Sequence, residues 1–155
     1  MLPLGPILHV EDREEDVFLL QYAFEHADIK NPVHVSDDGQ AAIDYLAGVG
    51  KFADRDRFPL PILVLLDLKL PTKMGLEVLE WIKRQPHLRC IIVLILSSSI
   101  YEGDIERAYE LGVNAFLVKP SSSKVLTDMC KAIKHFWLMH NRPPMLTHHK
   151  AHRKR

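Results

Sequence analysis

Apolar residues along the chain fall into five short runs, separated by longer stretches with helical spacing. The third and fourth runs are continuous and rich in β-branched side chains, and the fifth is also uninterrupted. Strands buried on both faces have this pattern, which is typical of a parallel sheet covered by helices on each side. The predicted strands are residues 7–10 (ILHV), 33–35 (VHV), 62–66 (ILVLL), 91–96 (IIVLIL) and 115–118 (AFLV).

Segments with a helical pattern follow each of these runs. In the first segment, Leu20, Phe24 and Ala27 recur at helical spacing, and in the fourth Gly112 is placed to end the helix. Strict alternation of strands and helices predicts an α/β fold, a doubly wound five-stranded parallel sheet with helices on both faces. The predicted helical segments are residues 16–27, 38–48, 75–86, 102–112 and 121–140.

Length and charge distribution indicate one domain followed by a tail. A chain of 155 residues is the size of a single domain, which we place at residues 1–140. Residues 141–155 hold five Lys/Arg and no acid, and we expect a disordered basic tail there. The remainder has 15 Lys/Arg against 20 Asp/Glu, a net charge of −5, which gives little support to a nucleic-acid partner.

The sequence offers no sign of a membrane partner or an oxidising compartment. No apolar run approaches the length of a membrane span, and the N-terminus lacks the basic start of a signal peptide. Cys90 and Cys130 do not form a metal-binding or disulfide pattern, so we expect two free, packed thiols. These features predict a cytoplasmic protein.

Polar side chains collect where the predicted strands end. The first strand leads into Glu11 and Asp12, the third into Asp67, the fourth into Ser97 and the fifth into Lys119. In an open parallel sheet, ligands bind at this carboxyl edge. Clustered carboxylates repel one another, and a bound Mg²⁺ would relieve that repulsion. A phosphoryl group on Asp67 would be received by the metal ion, the hydroxyl and the ammonium, so this pattern predicts a phosphorylated aspartate.

The motifs that carry this chemistry resemble a known family. "VED" after the first strand, "LLDLKLP" and Gly75 around the third, "LSSS" after the fourth and "FLVKP" at the fifth resemble the receiver domain of two-component response regulators. The resemblance covers residues 6 to about 140 and implies the flavodoxin-like receiver fold. The stretch from Tyr45 to Pro71 also resembles stand-alone regulators that partner phytochrome-type histidine kinases.

The resemblance implies roles for the acidic residues and the loop that follows Asp67. Asp67 matches the phospho-acceptor and a metal ligand, and Asp12 matches the direct Mg²⁺ ligand. Glu11 matches a residue that acts on the metal mainly through water. Lys69 would contribute its backbone carbonyl to the metal site.

Other matching positions imply a signalling switch. Ser97 matches the hydroxyl that binds the phosphate and moves on activation, Lys119 the phosphate-pairing lysine and Phe116 the aromatic rotamer switch. The Lys119–Pro120 bond is expected to be cis. The implied function is a single-domain response regulator that a sensor histidine kinase phosphorylates in a Mg²⁺-dependent reaction and that signals by a surface change. Such a protein is not an enzyme.

Two other functions fit the sequence less well. A phosphatase of the haloacid dehalogenase type also forms an aspartyl-phosphate, but it carries a general acid two residues after the nucleophile, where this chain has Lys69. A nucleotide-binding module needs a glycine-rich first turn, whereas "HVEDREED" places acids there.

The last helix predicts a homodimer. Its core stripe is filled by Leu126, Met129 and Ile133 with Trp137 or Phe136, which leaves Cys130, Leu138 and Met139 without a place in the core. An apolar excess of this kind favours an interface built by the last helix, the fifth strand and the fourth helix. The alternative is that residues 141–146 (NRPPML) fold back and cover these side chains. The regulators that the chain resembles include dimers.

Overall fold

The computed structural model describes residues 4–146 as five strands alternating with helices. The strands are β1 (Ile7–Val10), β2 (Val33–Ser36), β3 (Leu63–Leu66), β4 (Ile92–Ser97) and β5 (Ala115–Val118). The helices are α1 (Glu14–His26), α2 (Gly39–Ala47), α3 (Gly75–Arg84), α4 (Glu102–Glu110) and α5 (Ser123–Ile133). A 3₁₀ helix (Gly50–Ala53) follows α2, and a π-helix (Lys134–His140) continues α5.

All strands are parallel and form one sheet in the order β2-β1-β3-β4-β5. Every residue of β1, β3 and β4 is buried, which is why these strands lack an alternating polar pattern. The chain crosses from β2 back to the centre and then outward through β3, β4 and β5. The doubly wound five-stranded parallel sheet predicted from the sequence is therefore confirmed.

Two apolar layers cover the faces of this sheet. On one face, residues of β1, β3 and β4 such as Ile7, Leu65 and Leu94 pack with α1 and α5. On the opposite face, Leu8, Val64 and other alternate strand residues pack with α2, α3 and α4. Because side chains alternate along a strand, each central strand contributes to both layers and is fixed from both sides.

The C-terminal helix differs from the single long helix that the sequence predicts. After Ile133 the chain widens into the π-helix, and the Asn141 N–H donates to the Phe136 carbonyl five residues earlier at 2.7 Å. Trp137 and Leu138 both pack against the α1/α5 layer, whereas Phe136 and Met139 stay exposed. The prediction that Leu138 has no place in the core was therefore wrong.

The cysteines also differ from expectation. Cys130 is fully buried in the α1/α5 layer, one helical turn from Leu126, so the prediction that it lacks a place in the core was wrong. Both thiols are free, but Cys90 is exposed because β4 begins two residues later, at Ile92. A buried free thiol and an exposed one thus replace the two packed thiols expected from the sequence.

Residues 143–146, beyond the π-helix, lie beside the segments that lead into β3 and β4. Leu146 packs against the α2/α3/α4 layer, and residues 143–146 border an apolar cavity of about 290 Å³ beside residues 59–62 and 90–92. The rest of the predicted disordered tail, residues 147–155, lies outside the described residues. The domain boundary at residue 140 stays a prediction.

No helix within residues 4–146 is long and apolar enough to cross a membrane.

Candidate functional site

The carboxyl ends of β1 and β3 bring two acidic residues side by side. The strands pair in register, so that Val10 lies beside Leu66 and the next residues, Glu11 and Asp67, are neighbours. The Asp67 N–H donates to the Val10 carbonyl at 3.1 Å, which continues the ladder one step beyond the strands. Backbone pairing of two buried strands therefore fixes the spacing between these carboxylates.

Asp67 is held in a buried, defined orientation. The residue is 7% exposed, and its Oδ1 accepts a hydrogen bond from the Leu68 N–H at 2.8 Å. The loop that follows Asp67 is closed by a hydrogen bond that the Gly75 N–H donates to the Leu68 carbonyl at 2.8 Å. A Cβ at position 75 would overlap the Asp67 carbonyl oxygen, so the glycine permits this close approach.

The ammonium of Lys119, which follows β5, reaches three carboxylates. Its Nζ lies 2.6 Å from Glu11 Oε2, 2.9 Å from Asp16 Oδ2 and 3.4 Å from Asp67 Oδ2. Burial acts to lower the pKa of Lys119, but the hydrogen bonds to Glu11 and Asp16 outweigh it, and the pKa lies above its ordinary value. Lys119 is therefore a cation at neutral pH and contacts Asp67 less closely than the other two acids.

Glu11 is almost completely buried, and both of its carboxylate oxygens have partners. Oε1 accepts from the Arg13 N–H at 3.2 Å, and Oε2 accepts from Lys119. Burial raises the pKa of Glu11 above its ordinary value, and the hydrogen bond with Lys119 offsets this only in part. Glu11 thus serves first as the partner of Lys119, which fits an indirect rather than a direct action on a metal ion.

Three of the predicted metal ligands converge. Carboxylate oxygens of Glu11, Asp12 and Asp67 lie within 4.8 Å of one another, with Asp12 exposed and the other two buried. Hard divalent cations such as Mg²⁺ prefer oxygen ligands of this kind and retain several waters. The donor set therefore fits a hydrated divalent cation that is approached from the Asp12 side.

The fourth predicted metal-site residue, Lys69, lies in the loop after β3. Its side chain is exposed, while its neighbours Leu68 and Leu70 are buried in the α2/α3/α4 layer. This alternation anchors the loop on both sides of residue 69. The role of its backbone carbonyl stays a prediction.

Ser97 and Phe116 occupy adjacent strands. Ser97 ends β4, is buried, and its Oγ accepts a hydrogen bond from the Ser99 N–H at 3.1 Å. Phe116 pairs with Ile95 in the sheet and is half-buried against the α2/α3/α4 layer. The Ser97 carbonyl accepts from the Lys119 N–H at 2.8 Å, which links the serine to the lysine through the backbone.

No cis peptide bond occurs within residues 4–146, so the peptide bond between Lys119 and Pro120 is trans. The expectation of a cis Lys119–Pro120 bond was wrong. Lys119 still reaches the acidic residues, since the hydrogen bond to Ser97 extends the pairing of β5 with β4 by one residue.

Sequence reasoning missed Asp16. It lies in the first turn of α1, and its carboxylate is one of the two closest partners of Lys119. A signal was present, because Asp16, Leu20 and Ala23 recur at the spacing of one helix face, and Leu20 and Ala23 are buried. An acid on the buried face, one turn from the acidic pair, points toward the same edge of the sheet.

His9 is a second polar residue that the sequence did not single out. It lies in the middle of β1, two residues before Glu11, and its Nδ1 has no hydrogen-bond partner although it is buried. Burial, assisted by the nearby charge of Lys119, lowers the pKa of His9 to about 4. The imidazole is therefore neutral at neutral pH and adds no charge beneath the acidic cluster.

Comparisons with known proteins agree with this geometry. The response regulator receiver domain family matches residues 7–131. The chain is 41% identical to the probable methanogenesis regulatory protein FilR2 of Methanothrix harundinacea over 138 residues, 89% of this chain and 86% of that protein. It is 40% identical to the response regulator Rcp1 of a Synechocystis strain over 136 residues, 88% of this chain and 90% of Rcp1.

Solved structures show the same architecture. The phosphorylated cyanobacterial phytochrome response regulator RcpA superposes with a TM-score of 0.85 at 38% identity, covering 92% of this chain and 99% of that chain. The Mn²⁺-bound form of Rcp1 superposes with a TM-score of 0.82 at 38% identity, covering 91% and 99%. Fold, edge residues and sequence identity agree, and the chain belongs to the response regulator receiver domain family.

Proposed function

We propose that Asp67 is the phospho-acceptor of this response regulator and that its phosphoryl donor is a sensor histidine kinase. The observation that carries the proposal is a buried carboxylate at the end of β3, oriented by the Leu68 N–H, with Lys119 at 3.4 Å and two further carboxylates within reach. The comparisons give no support to a haloacid dehalogenase-type phosphatase, because the family that matches is one of signalling proteins.

In the proposed transfer, a carboxylate oxygen of Asp67 attacks phosphorus and the O–P bond forms while the P–N bond to the kinase histidine breaks. The imidazole leaves with the electron pair of that bond and is neutral because its other ring nitrogen carries the proton. Lys119 already lies beside Asp67 Oδ2 and donates to an oxygen of the incoming group. Burial strengthens this contact, because water competes little for the ammonium.

Mg²⁺ fits the acidic residues and would neutralise charge on the phosphoryl group during transfer. Asp12 and Asp67 would bind it directly, Glu11 would act through water, and Lys69 would contribute its backbone carbonyl. Mn²⁺ is bound in a solved structure of Rcp1, a relative that is 40% identical to this chain. This supports a divalent cation at the same acidic residues here.

The signal is proposed to pass through Ser97 and Phe116. The Ser97 hydroxyl accepts a hydrogen bond from Ser99, so its own proton can be donated to a phosphoryl oxygen. Movement of Ser97 would change the packing beside Phe116, which is only half-buried. Phosphorylation would then alter the surface formed by α4 and β5.

A phytochrome-type kinase is the proposed partner, and its support is the similarity to Rcp1 and to the phytochrome response regulator RcpA. The similarity to FilR2, a regulator of a different process by its name, is equally close, so the kinase must be identified by experiment. We place the protein in the cytoplasm without a nucleic-acid or membrane partner, as the sequence suggests.

Phosphorylation on Asp67 is tested by intact-mass spectrometry after incubation with acetyl phosphate and Mg²⁺. One phosphoryl group is expected on wild type and none on Asp67→Asn. Asp56→Asn, which removes an exposed carboxylate in the segment before β3, is the matched control and should react like wild type. Asp12→Ala should react much more slowly, because the metal loses its exposed ligand. Equal phosphorylation in excess chelator would contradict the role of the metal.

A homodimer through α4, β5 and α5 is also proposed. Tyr109, Val118 and Val125 on these elements are 42–52% exposed, and Phe136 and Met139 remain exposed beyond α5. Residues 141–146 do not cover them, since Leu146 packs on the opposite layer. Apolar side chains from consecutive elements form the kind of patch that partner proteins bury.

Light scattering tests the dimer. The expected mass is near twice 17.8 kDa at tens of micromolar, with dissociation in Val125→Glu. Val49→Glu places the same charge at a similarly exposed valine after α2 and should leave the mass unchanged. A monomeric wild type, both phosphorylated and unphosphorylated, would exclude the dimer.

A further inference from the structure

Asp16 shares the Lys119 ammonium with Glu11 and Asp67 of the acidic cluster. The Lys119 ammonium has three N–H donors, and the three acceptors around it are unequal. Glu11 and Asp16 lie at 2.6 and 2.9 Å, within the ordinary range of charge-assisted hydrogen bonds, whereas Asp67 at 3.4 Å lies beyond it. The ammonium is therefore drawn toward β1 and α1, away from the phospho-acceptor.

The Asp16 carboxylate cannot easily follow Lys119 if the lysine moves. Asp16 belongs to the face of α1 that packs through Leu20 and Ala23 on the sheet, and its side chain is only 21% exposed. Its other cationic neighbour, the mainly exposed Arg13, is more distant, with Nε at 3.9 Å. Lys119 is thus the closest partner of a carboxylate whose place is set by helix packing.

A phosphoryl group on Asp67 needs the same ammonium. Lys119 must then donate to a phosphoryl oxygen, and any movement toward it lengthens the contact with Asp16. In a partly buried site, weakening the ion pair between Lys119 and Asp16 costs more free energy than it would in water. We propose that Asp16 is a positioning residue that restrains Lys119 and so weakens the hold of the site on a phosphoryl group. This inference rests on the proposed roles of Asp67 and Lys119.

The test measures binding of beryllofluoride, a stable mimic of the phosphoryl group, by calorimetry at saturating Mg²⁺. Asp16→Asn keeps the size of the side chain and removes its charge, so beryllofluoride should bind roughly fivefold more tightly or better. Asp16→Glu retains a carboxylate near Lys119 and should stay within about twofold of wild type.

Glu15→Gln is the matched control for loss of charge alone. Glu15 lies in the same helical turn, is exposed, and makes its closest ion pair with Arg13 rather than Lys119. Removing its charge should change the affinity by less than about twofold, because exposed charges are well screened. Thermal unfolding of all variants verifies that they fold.

The outcomes separate this inference from the proposed function. Unchanged or weaker binding by Asp16→Asn, or an equal gain in Glu15→Gln, would overturn the role of Asp16 alone. A wild-type protein that binds no beryllofluoride, or an Asp67→Asn variant that binds it equally well, would instead refute the proposed acceptor site.

Discussion

At the scale of single residues, some buried polar groups in this site have hydrogen-bond partners and others do not. Glu11 is almost fully buried and has partners for both oxygens, whereas the equally buried His9 leaves Nδ1 without one. A buried polar atom without a hydrogen-bond partner lowers the free energy of unfolding by about 1–3 kcal/mol. The sequence predicted Glu11, Asp12, Asp67 and Lys119 as neighbours because each follows a strand. It missed His9 and Asp16, since only side-chain packing shows which partners a buried polar group meets.

The two cysteines should react differently with alkylating reagents. Cys130 is fully buried, and burial raises the pKa of its thiol to about 12, so almost no thiolate is present at pH 8. Cys90 is exposed beside the apolar cavity. In native protein at pH 8, iodoacetamide should modify one thiol per chain, identified as Cys90 by peptide mapping. Cys90→Ser should then show almost no labelling, and rapid labelling of Cys130 would contradict its burial.

Ser97→Ala should separate phosphorylation from signalling. Asp67 keeps Lys119 and its acidic neighbours in this variant, so phosphorylation by acetyl phosphate should remain within several-fold of wild type. The NMR shift change at Phe116 on adding beryllofluoride should shrink, because the proposed hydrogen bond from the Ser97 hydroxyl to the phosphoryl mimic is lost. Ser98→Ala changes the exposed neighbour and should behave like wild type. An undiminished shift at Phe116 in Ser97→Ala would argue against the proposed coupling.

At the scale of elements, the sequence predicted all five strands within one residue at each end. For β3 and β4 the reason is that a continuous apolar run leaves little freedom in where a buried strand lies. The helices were also found, with ends shifted by up to two residues apart from the C-terminal one. The π-helix and the 3₁₀ turn at Gly50–Ala53 were missed. Both involve tertiary packing: Phe52 of the 3₁₀ turn stacks edge-to-face with Phe58, and the π-helix packs both Trp137 and Leu138 against the α1/α5 layer.

The loop from β3 to α3 should not tolerate a larger residue at position 75. In Gly75→Ala the new Cβ would overlap the backbone of Asp67 and Leu68, which cannot yield as a flexible side chain would. We expect a loss of about 1–3 kcal/mol in the free energy of unfolding and much slower phosphorylation. Gly103→Ala, in α4, meets only the exposed side chain of Tyr101 and should be neutral or stabilising. Urea denaturation measures the free energy of unfolding of both variants. A Gly75→Ala protein as stable as wild type would contradict the predicted steric overlap.

Across the whole molecule, distant parts of the chain are joined at both ends of the sheet. At the carboxyl edge, Lys119 joins β5 to β1 and α1 through contacts that span more than 100 residues of sequence. At the opposite edge, residues 143–146 lie beside the segments that enter β3 and β4. The sequence predicted the first junction because parallel strands align their ends. It did not predict the second, because residues 141–155 look like a polar tail and, of the described part 141–146, only Leu146 packs against a core layer.

This second junction predicts that the domain does not end at residue 140. A chain truncated after residue 140 loses the packing of Leu146, and we expect a loss of about 1–2 kcal/mol in the free energy of unfolding, the value for a partly buried leucine. A chain truncated after residue 146 keeps this contact and removes four of the five basic residues of the tail, so it should match the full chain. The single substitution Leu146→Ser should reproduce most of the loss, whereas Met145→Ser, at a residue that is 91% exposed, should not. Urea denaturation followed by tryptophan fluorescence gives all four values. Equal stability of the two truncated chains would place the boundary at residue 140 after all, because the contact of Leu146 would then contribute nothing to the folded domain.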